Sequence, residues 1–350
     1  MIAYLIMGYI SDHFSRKLTL LMGMSSYLLF FLGMPLSHSL VIAYVFAIFA
    51  GIGNSALDSA TYPLFTELNA KSSSDNILIK AFISVGEFSL PLVVVFLNAH
   101  HLWFGISFLL PAIIIILNLI NIITLKFPNV RHTEKVQAEH RIHLSKIKKV
   151  VVTSALLVYG YTSMAIMTWF TTWITHFASS IKFAGWLSHV LLSSYSVGSI
   201  VGVITSFLLI RHFHVRNAWF LLSNIIGTLA LVVIIISRVP MISLMGSAIF
   251  GFCIAGGLMQ IALNILLAIF PKNTGIFTAI YFIFGSIAAF TIPIITGKLL
   301  SFGAVNILDG DVIVGLVGIV SAIIIFTMIP EPHLNRLTKK SVSQVAVENN

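Results

Sequence analysis

The 350-residue chain is 58% hydrophobic and 9% charged, with a mean hydropathy of +1.02, whereas a soluble domain carries about 25% charged residues. A water-soluble fold could not hide so much apolar surface, and the single cysteine, Cys253 in an apolar run, excludes a disulfide framework or a cysteine-built metal site. The net charge of +9 raises the question of a nucleic-acid surface, which the placement of the basic residues answers below.

In chain order, apolar runs broken by charge, proline and glycine clusters predict eleven spans: 1–10, 18–36, 40–65, 77–97, 102–125, 150–177, 183–210, 218–236, 241–270, 276–295 and 312–329. Several reach about 20 residues, enough to cross a hydrocarbon core of ~30 Å as a helix. Strands of a membrane barrel would be about 10 residues long with alternating polarity, a pattern absent here. The fold class these runs imply is an all-α polytopic membrane protein.

The connections alternate between very short and basic. Of the 20 Lys and Arg residues, only Lys182, Arg238 and Lys298 fall on one side of the spans. Cytoplasmic loops gather Lys and Arg, so the other side is cytoplasmic. The net charge then serves topology and attraction to anionic lipid headgroups, which argues against a nucleic-acid partner. The longest polar stretch separates five spans from six. It divides the chain into an N-terminal bundle (1–127), a cytoplasmic linker (128–149), a C-terminal bundle (150–330) and a polar cytoplasmic tail (331–350). The first ten residues are apolar without a basic lead, so no cleavable signal peptide is evident.

Between the first two spans stands Gly8-Tyr9-Ile10-Ser11-Asp12-His13-Phe14-Ser15-Arg16-Lys17. Gly8 would allow a close helix approach, and Asp12 suits the positive end of another helix dipole. The segment Lys272-Asn273-Thr274-Gly275 offers such a helix start on the same membrane face, and the contact would latch the two bundles together. The plainer alternative is a solvated turn that only obeys the charge rule.

This pattern, Gly8, then Asp12 four residues on, then Arg16 and Lys17, resembles the signature of the major facilitator superfamily, which usually has Gly where Ser15 stands. The resemblance implies a secondary transporter built from two repeated six-helix bundles, with the signature as a gating element between its helices 2 and 3. The eleven spans then correspond to family helices 2 to 12, and helix 1 has no counterpart. A residual repeat, Arg211-His212-Phe213-His214-Val215-Arg216 against residues 12–17, supports the duplication, although the acid has become basic. The run Gly51-Ile52-Gly53-Asn54-Ser55-Ala56-Leu57-Asp58 is similar to the glycine-rich fourth helix of sugar-transporting branches, without the Arg many members carry just before it. The span at 77–97 has only Gly86 and Pro91 where drug/proton antiporters are Gly-Pro-rich, which weighs against drug efflux.

Ionisable groups inside spans are costly unless they face the bundle or water, which makes each a functional candidate. Asp58 and Glu87 both fall near the bilayer middle. Asn54, Asp58 and Thr61 or Tyr62 share one helical face, and the resemblance implies that this helix lines the substrate cavity. Glu87 has Ser84 and Pro91 on its face, and burial, which penalises the charged form, suits it to carrying a proton. Each acid could instead be a hydrogen-bonded packing residue. In the second half, Thr162, Trp169 and Trp173 share a face of the 150–177 span, with Tyr159 and Tyr161 nearby; Trp173 reads as interfacial and Trp169 as a cavity candidate. Gln260 and Asn264, four residues apart, match the Asn54/Asp58 stripe by the internal repeat.

His100-His101 and His212-Phe213-His214 lie in short loops without an acid pair and read as solvated, and His189 within a span reads as a core residue. No phosphate-binding glycine loop appears, so neither ATP nor any other cofactor is implied, and no metal site or hydrolytic constellation is found. The sequence thus predicts a non-enzymatic, alternating-access transporter of a small solute in a bacterial inner membrane. It is coupled to protons through Glu87 or Asp58, with import favoured by the polar stripe. Two alternatives stand beside it: efflux of a drug or metabolite by the same fold, and a transport-incompetent membrane protein or solute sensor.

Overall fold

Backbone in lipid must satisfy its own N–H and C=O groups, and the chain does so with helices. The computed structural model describes residues 1–68, 75–125, 127, 142, 144–183, 185–213, 215–300 and 307–329; the side chains of residue 91 and residues 185–189 are outside the described set. The linker residues 128–141, the tail 331–350 and His214 therefore lie outside the described residues, as do the side chains of Pro91 and His189.

The helices are α1 (Ile2–His13), α2 (Arg16–Gly33), α3 (Leu40–Leu68), α4 (Asp75–Ala99), α5 (Ile106–Thr124), α6 (Lys146–Ser180), α7 (Gly185–Phe213), α8 (Arg216–Ser237), α9 (Pro240–Ile254), α10 (Leu258–Ile269), α11 (Thr274–Leu299) and α12 (Asp309–Met328). Among the described residues ten spans are long and apolar enough to cross a membrane, with α9 and α10 forming one of them, Pro240–Ile269. The helix α1, at 12 residues, is shorter than the ~20 a crossing needs.

Two compact units are present. The first comprises Met1–Lys71, Val85–Arg141 and Leu266–Ile283; the second comprises Ser72–Ser84, Ile142–Ile265 and Phe284–Asn350. In the first unit α2 packs on α3 and α5, and α1 packs on α3. In the second, α7 and α8 flank α9, while α12 lies on α6 and α8. An apolar cluster fills that unit, centred on Phe170, Phe177, Leu231 and Phe250; the Phe170 and Phe250 rings stack at 4.2 Å between centroids.

Close backbone approach replaces side-chain packing where α7 crosses α9. A Cβ on Gly202 would run into the Phe252 carbonyl oxygen, and one on Gly251 into that of Tyr195. Gly198 and Gly202, four residues apart, are the small-residue spacing that lets membrane helices touch.

The run 241–270, read from the sequence as one continuous helix, is interrupted at 255–257. Gly257 has φ +91°, a left-handed conformation that only glycine adopts readily. The Ser199 hydroxyl donates to the Ala255 carbonyl at 3.1 Å, satisfying a backbone group that the interruption releases.

Candidate functional site

Two polar constellations stand out in the first unit. The first is built on the turn between α1 and α2. The buried face of α1 carries Tyr4, Met7, Gly8 and Ser11, and Gly8 sits so close to α11 that a Cβ there would lie 2.7 Å from the Ala279 Cβ. The approach brings Asp12 to the N-terminus of α11. Its Oδ1 accepts from the Gly275 N–H at 2.8 Å and its Oδ2 from the Ile276 N–H at 2.7 Å. These are two of the donors a helix start leaves unsatisfied, and a carboxylate is the partner its dipole favours.

Arg16 ties this contact to α3. Its Nη1 donates to Asp12 Oδ1 at 2.8 Å and to Ser11 Oγ at 2.7 Å. Its Nε and Nη2 both reach Glu67 Oε1, at 3.2 and 2.7 Å, and Nη2 also donates to Thr274 Oγ1 at 2.8 Å. The Arg16 guanidinium is thus buried between two carboxylates. Lys17 turns the other way, donating to the Ile123 and Leu125 carbonyls at 2.8 and 2.9 Å, which are C-terminal acceptors of α5. Glu67 was not singled out by sequence reasoning. The available signal was an acid at a span end where the charge rule expects bases.

The second constellation lies on α1, α2 and α3. Tyr4 Oη donates to Asp58 Oδ2 at 2.7 Å, while Asn54 Nδ2 donates to Tyr4 Oη at 2.7 Å and to Asp58 Oδ2 at 3.1 Å. Tyr27 Oη donates to Asn54 Oδ1 at 3.0 Å. Asp58 is half-buried and Asn54 exposed, so the network runs from a surface into the packed interior. Aromatic rings wall it: Tyr4 stacks on Phe282 with centroids 6.0 Å apart, and Phe282 meets Tyr62 at 5.2 Å. Asn54 and Asp58 come together as their spacing predicts. Thr61 is half-buried on the same helix and shares none of these bonds. Tyr4 and Tyr27 were missed, because a lone tyrosine in an apolar run looks like packing.

The remaining candidates are dispersed. Glu87 lies on the exposed surface of α4, whereas Ser84, one turn earlier, is buried. In the second unit Ser84 Oγ and Ser199 Oγ are 3.2 Å apart, next to the interruption after α9. Gln260 and Asn264 are both buried on α10, and Asn264 Oδ1 accepts from Asn76 Nδ2 at 2.5 Å. Trp169 is buried in the apolar cluster, its indole N–H donating to the Ile307 carbonyl at 2.8 Å. Tyr159 Oη donates to Asn224 Oδ1 at 3.1 Å. His100, His101 and His212 are exposed.

Comparison with known proteins bears on the family and the fold. A family model described as Major Facilitator Superfamily matches residues 1–214. The inner membrane transport protein YdiM of Escherichia coli (strain K12) is 33% identical over 328 residues, spanning 91% of this chain and 80% of YdiM. Among solved structures, the E. coli fucose:proton symporter FucP superposes with a TM-score of 0.69 at 16% identity, covering 94% of this chain and 86% of FucP. The proton:xylose symporter XylE, bound to 6-bromo-6-deoxy-D-glucose, superposes with a TM-score of 0.73 at 13% identity over 94% of this chain and 83% of XylE.

Proposed function

Because this chain belongs to the major facilitator superfamily, a family of multi-pass membrane transporters and not of enzymes, we propose that it imports a small polar solute across a bacterial inner membrane by alternating access coupled to protons. The observation that carries this reading is the Tyr4–Asn54–Asp58–Tyr27 network. A carboxylate inside a membrane protein marks an ion or substrate path by default, and here it has donors on two sides and a route to a surface through Asn54. Neutral polar groups beside aromatic rings suit a hydroxylated solute, offering hydrogen bonds to its polar edge and flat apolar faces to its carbons. FucP and XylE, proton symporters by description, lend the reading support at the level of fold.

Of the two acids named from the sequence, Asp58 is the better coupling residue. It is held by the Tyr4 hydroxyl and the Asn54 amide. The Asp12–Arg16–Glu67 cluster is assigned to gating: charge-assisted bonds between separate helices form or break as a set. Asn54 and Asp58 are assigned to substrate contact, with Gln260 and Asn264 as their counterparts in the second unit.

The test begins with thermal unfolding of the purified chain against a panel of pentoses, hexoses and small organic acids, since a ligand that prefers the native state raises the melting temperature. A stabilising solute is then offered to proteoliposomes with an imposed pH gradient. Uptake that follows the gradient in the parent chain and loses that dependence in Asp58→Asn supports the proposal. Uptake indifferent to the gradient, or gradient-driven uptake that survives in Asp58→Asn, refutes it.

A further inference from the structure

A second carboxyl in an apolar helix takes no part in either constellation. Asp311 lies in the first turn of α12, three residues after the N-cap Leu308. Its side chain is fully buried, and among the described residues neither carboxyl oxygen has a hydrogen-bond partner. It opens the buried face of α12 that continues through Gly315, Gly318, Ser321, Ala322 and Ile325. The contacts of that face come from α6 and α8: Thr228 and Ile166 meet Gly315, while Tyr159, Thr162 and Asn224 meet Gly318. Trp169 lies against the neighbouring Gly310.

No charged group faces Asp311 from these helices. On α6 the titratable residues are the exposed Lys146 and Lys148, half-buried Lys149, Tyr159 with its hydroxyl given to Asn224, Tyr161 with its hydroxyl at Thr291, and the exposed His176. On α8 Arg216 begins the helix, at the end away from Asp311, and Arg238, which follows the helix at the nearer end, is exposed. On α12 itself Asp309 points outward and is exposed. The segment 301–306, Ser-Phe-Gly-Ala-Val-Asn, brings no ionisable side chain.

An ionised carboxylate without cation or donor is among the most costly groups to bury, whereas a carboxylic acid carries no net charge. Sodium is a poor occupant, since hard cations gather several oxygen ligands, whereas the Thr228 hydroxyl and the Thr162 and Asn224 oxygens lie against Gly315 and Gly318, one and two turns along from Asp311. A proton needs only the carboxyl. The setting also favours the anion once water arrives, because the first turn of a 20-residue helix presents its positive dipole end to a carboxylate. A site that is dry when packed, and anion-stabilising when opened by one turn, binds a proton in one state and gives it up in the other.

We propose that Asp311 is a proton-binding site of the second unit, protonated while α12 is packed on α6 and α8 and released when the outer turn of α12 admits water. It is separate from the coupling assigned to Asp58 and stands or falls without it. Infrared difference spectra between acid and alkaline pH, taken on the full chain in lipid nanodiscs, test it directly. The parent chain should give a carbonyl band of a protonated carboxyl free of hydrogen bonds, and that band should vanish in Asp311→Asn and persist in Asp58→Asn. In Asp311→Glu it should shift in frequency without being lost, which covers the case that the Asn variant does not fold. A spectrum unchanged by both Asp311 substitutions overturns the proposal. So does a band abolished at fixed pH when choline is exchanged for sodium, since that would make sodium the ligand.

Discussion

The turn between α1 and α2 and the turn between α7 and α8, which the repeat read from the sequence pairs, carry different residues. In the first, Arg16 is clamped by Asp12 and Glu67 and reaches Thr274 at the start of α11. In the second, an arginine stands where Asp12 has its counterpart, and Arg216 Nε donates to the neighbouring Asn217 Oδ1 at 3.1 Å while Asn217 Nδ2 donates to the Ile329 carbonyl at 2.9 Å. The same contrast runs through the two units. The first joins its helices through charged and polar side chains, Asp12–Arg16–Glu67 and Tyr4–Asn54–Asp58, as well as by the Gly8 approach to α11. The second closes α7 on α9 by glycine contacts and leaves several buried hydroxyls, Ser223, Thr228, Ser243 and Ser247 among them, without hydrogen-bond partners among the described residues. Side-chain networks are directional and separable, as the proposed gating requires; backbone contacts at glycine are neither, which would suit a rigid lever.

The most damaging single change should fall on the charged turn. Arg16→Ala leaves Asp12 and Glu67 facing each other without their shared cation, and breaking a buried ion pair costs about 3–5 kcal/mol. A large drop in melting temperature is expected, with Arg16→Lys falling between because an ammonium cannot reproduce the guanidinium fork. If Arg16→Ala melts like the parent, the first unit is not held by this network and the contrast fails.

The next largest effect belongs to the second unit. Gly202→Val forces methyl groups against the Phe252 carbonyl, and overpacking costs about 1–3 kcal/mol, occasionally more. Because the obstacle is backbone, Gly202→Ala should already be destabilising. A control in the first unit, Gly51→Ala on α3, meets nothing within 4 Å and should leave the melting temperature unchanged. Tyr4→Phe should be milder, removing a hydrogen bond to Asp58 and one from Asn54 at about 1 kcal/mol each; its signature would be altered proton coupling of transport more than lost stability.

Much of this arrangement was legible beforehand, and the rest was hidden for physical reasons. Apolar length fixed the spans because lipid leaves the backbone little choice, and the acid at position 12 pointed to a helix start because few other partners satisfy it in that place. The interruption after α9 was not legible: glycine is common in membrane helices, and only the φ of Gly257 distinguishes a break from a contact. Glu67 and Tyr4 were overlooked because their partners lie 51 and 54 residues away, which no local pattern encodes. Asp311 fell one residue outside the predicted span 312–329 for a simple reason: a charge ends an apolar run, so a buried acid at a helix start is read as loop.

The smallest expected effect sharpens the contrast most. Thr228 on α8 has a buried hydroxyl without a hydrogen-bond partner among the described residues and lies against Gly315 of α12. Threonine and valine have nearly the same shape, so Thr228→Val exchanges an unsatisfied hydroxyl for a methyl without opening a cavity. Replacing an orphaned polar group by an apolar one of the same shape is neutral or stabilising, so the melting temperature should hold or rise slightly. The same kind of exchange in the first unit, Thr274→Val, removes a hydroxyl that accepts from Arg16 at 2.8 Å and should lower it. If instead Thr228→Val is clearly destabilising, the hydroxyl has a partner in another conformation, and the second unit changes its internal contacts during the cycle instead of moving as a rigid lever.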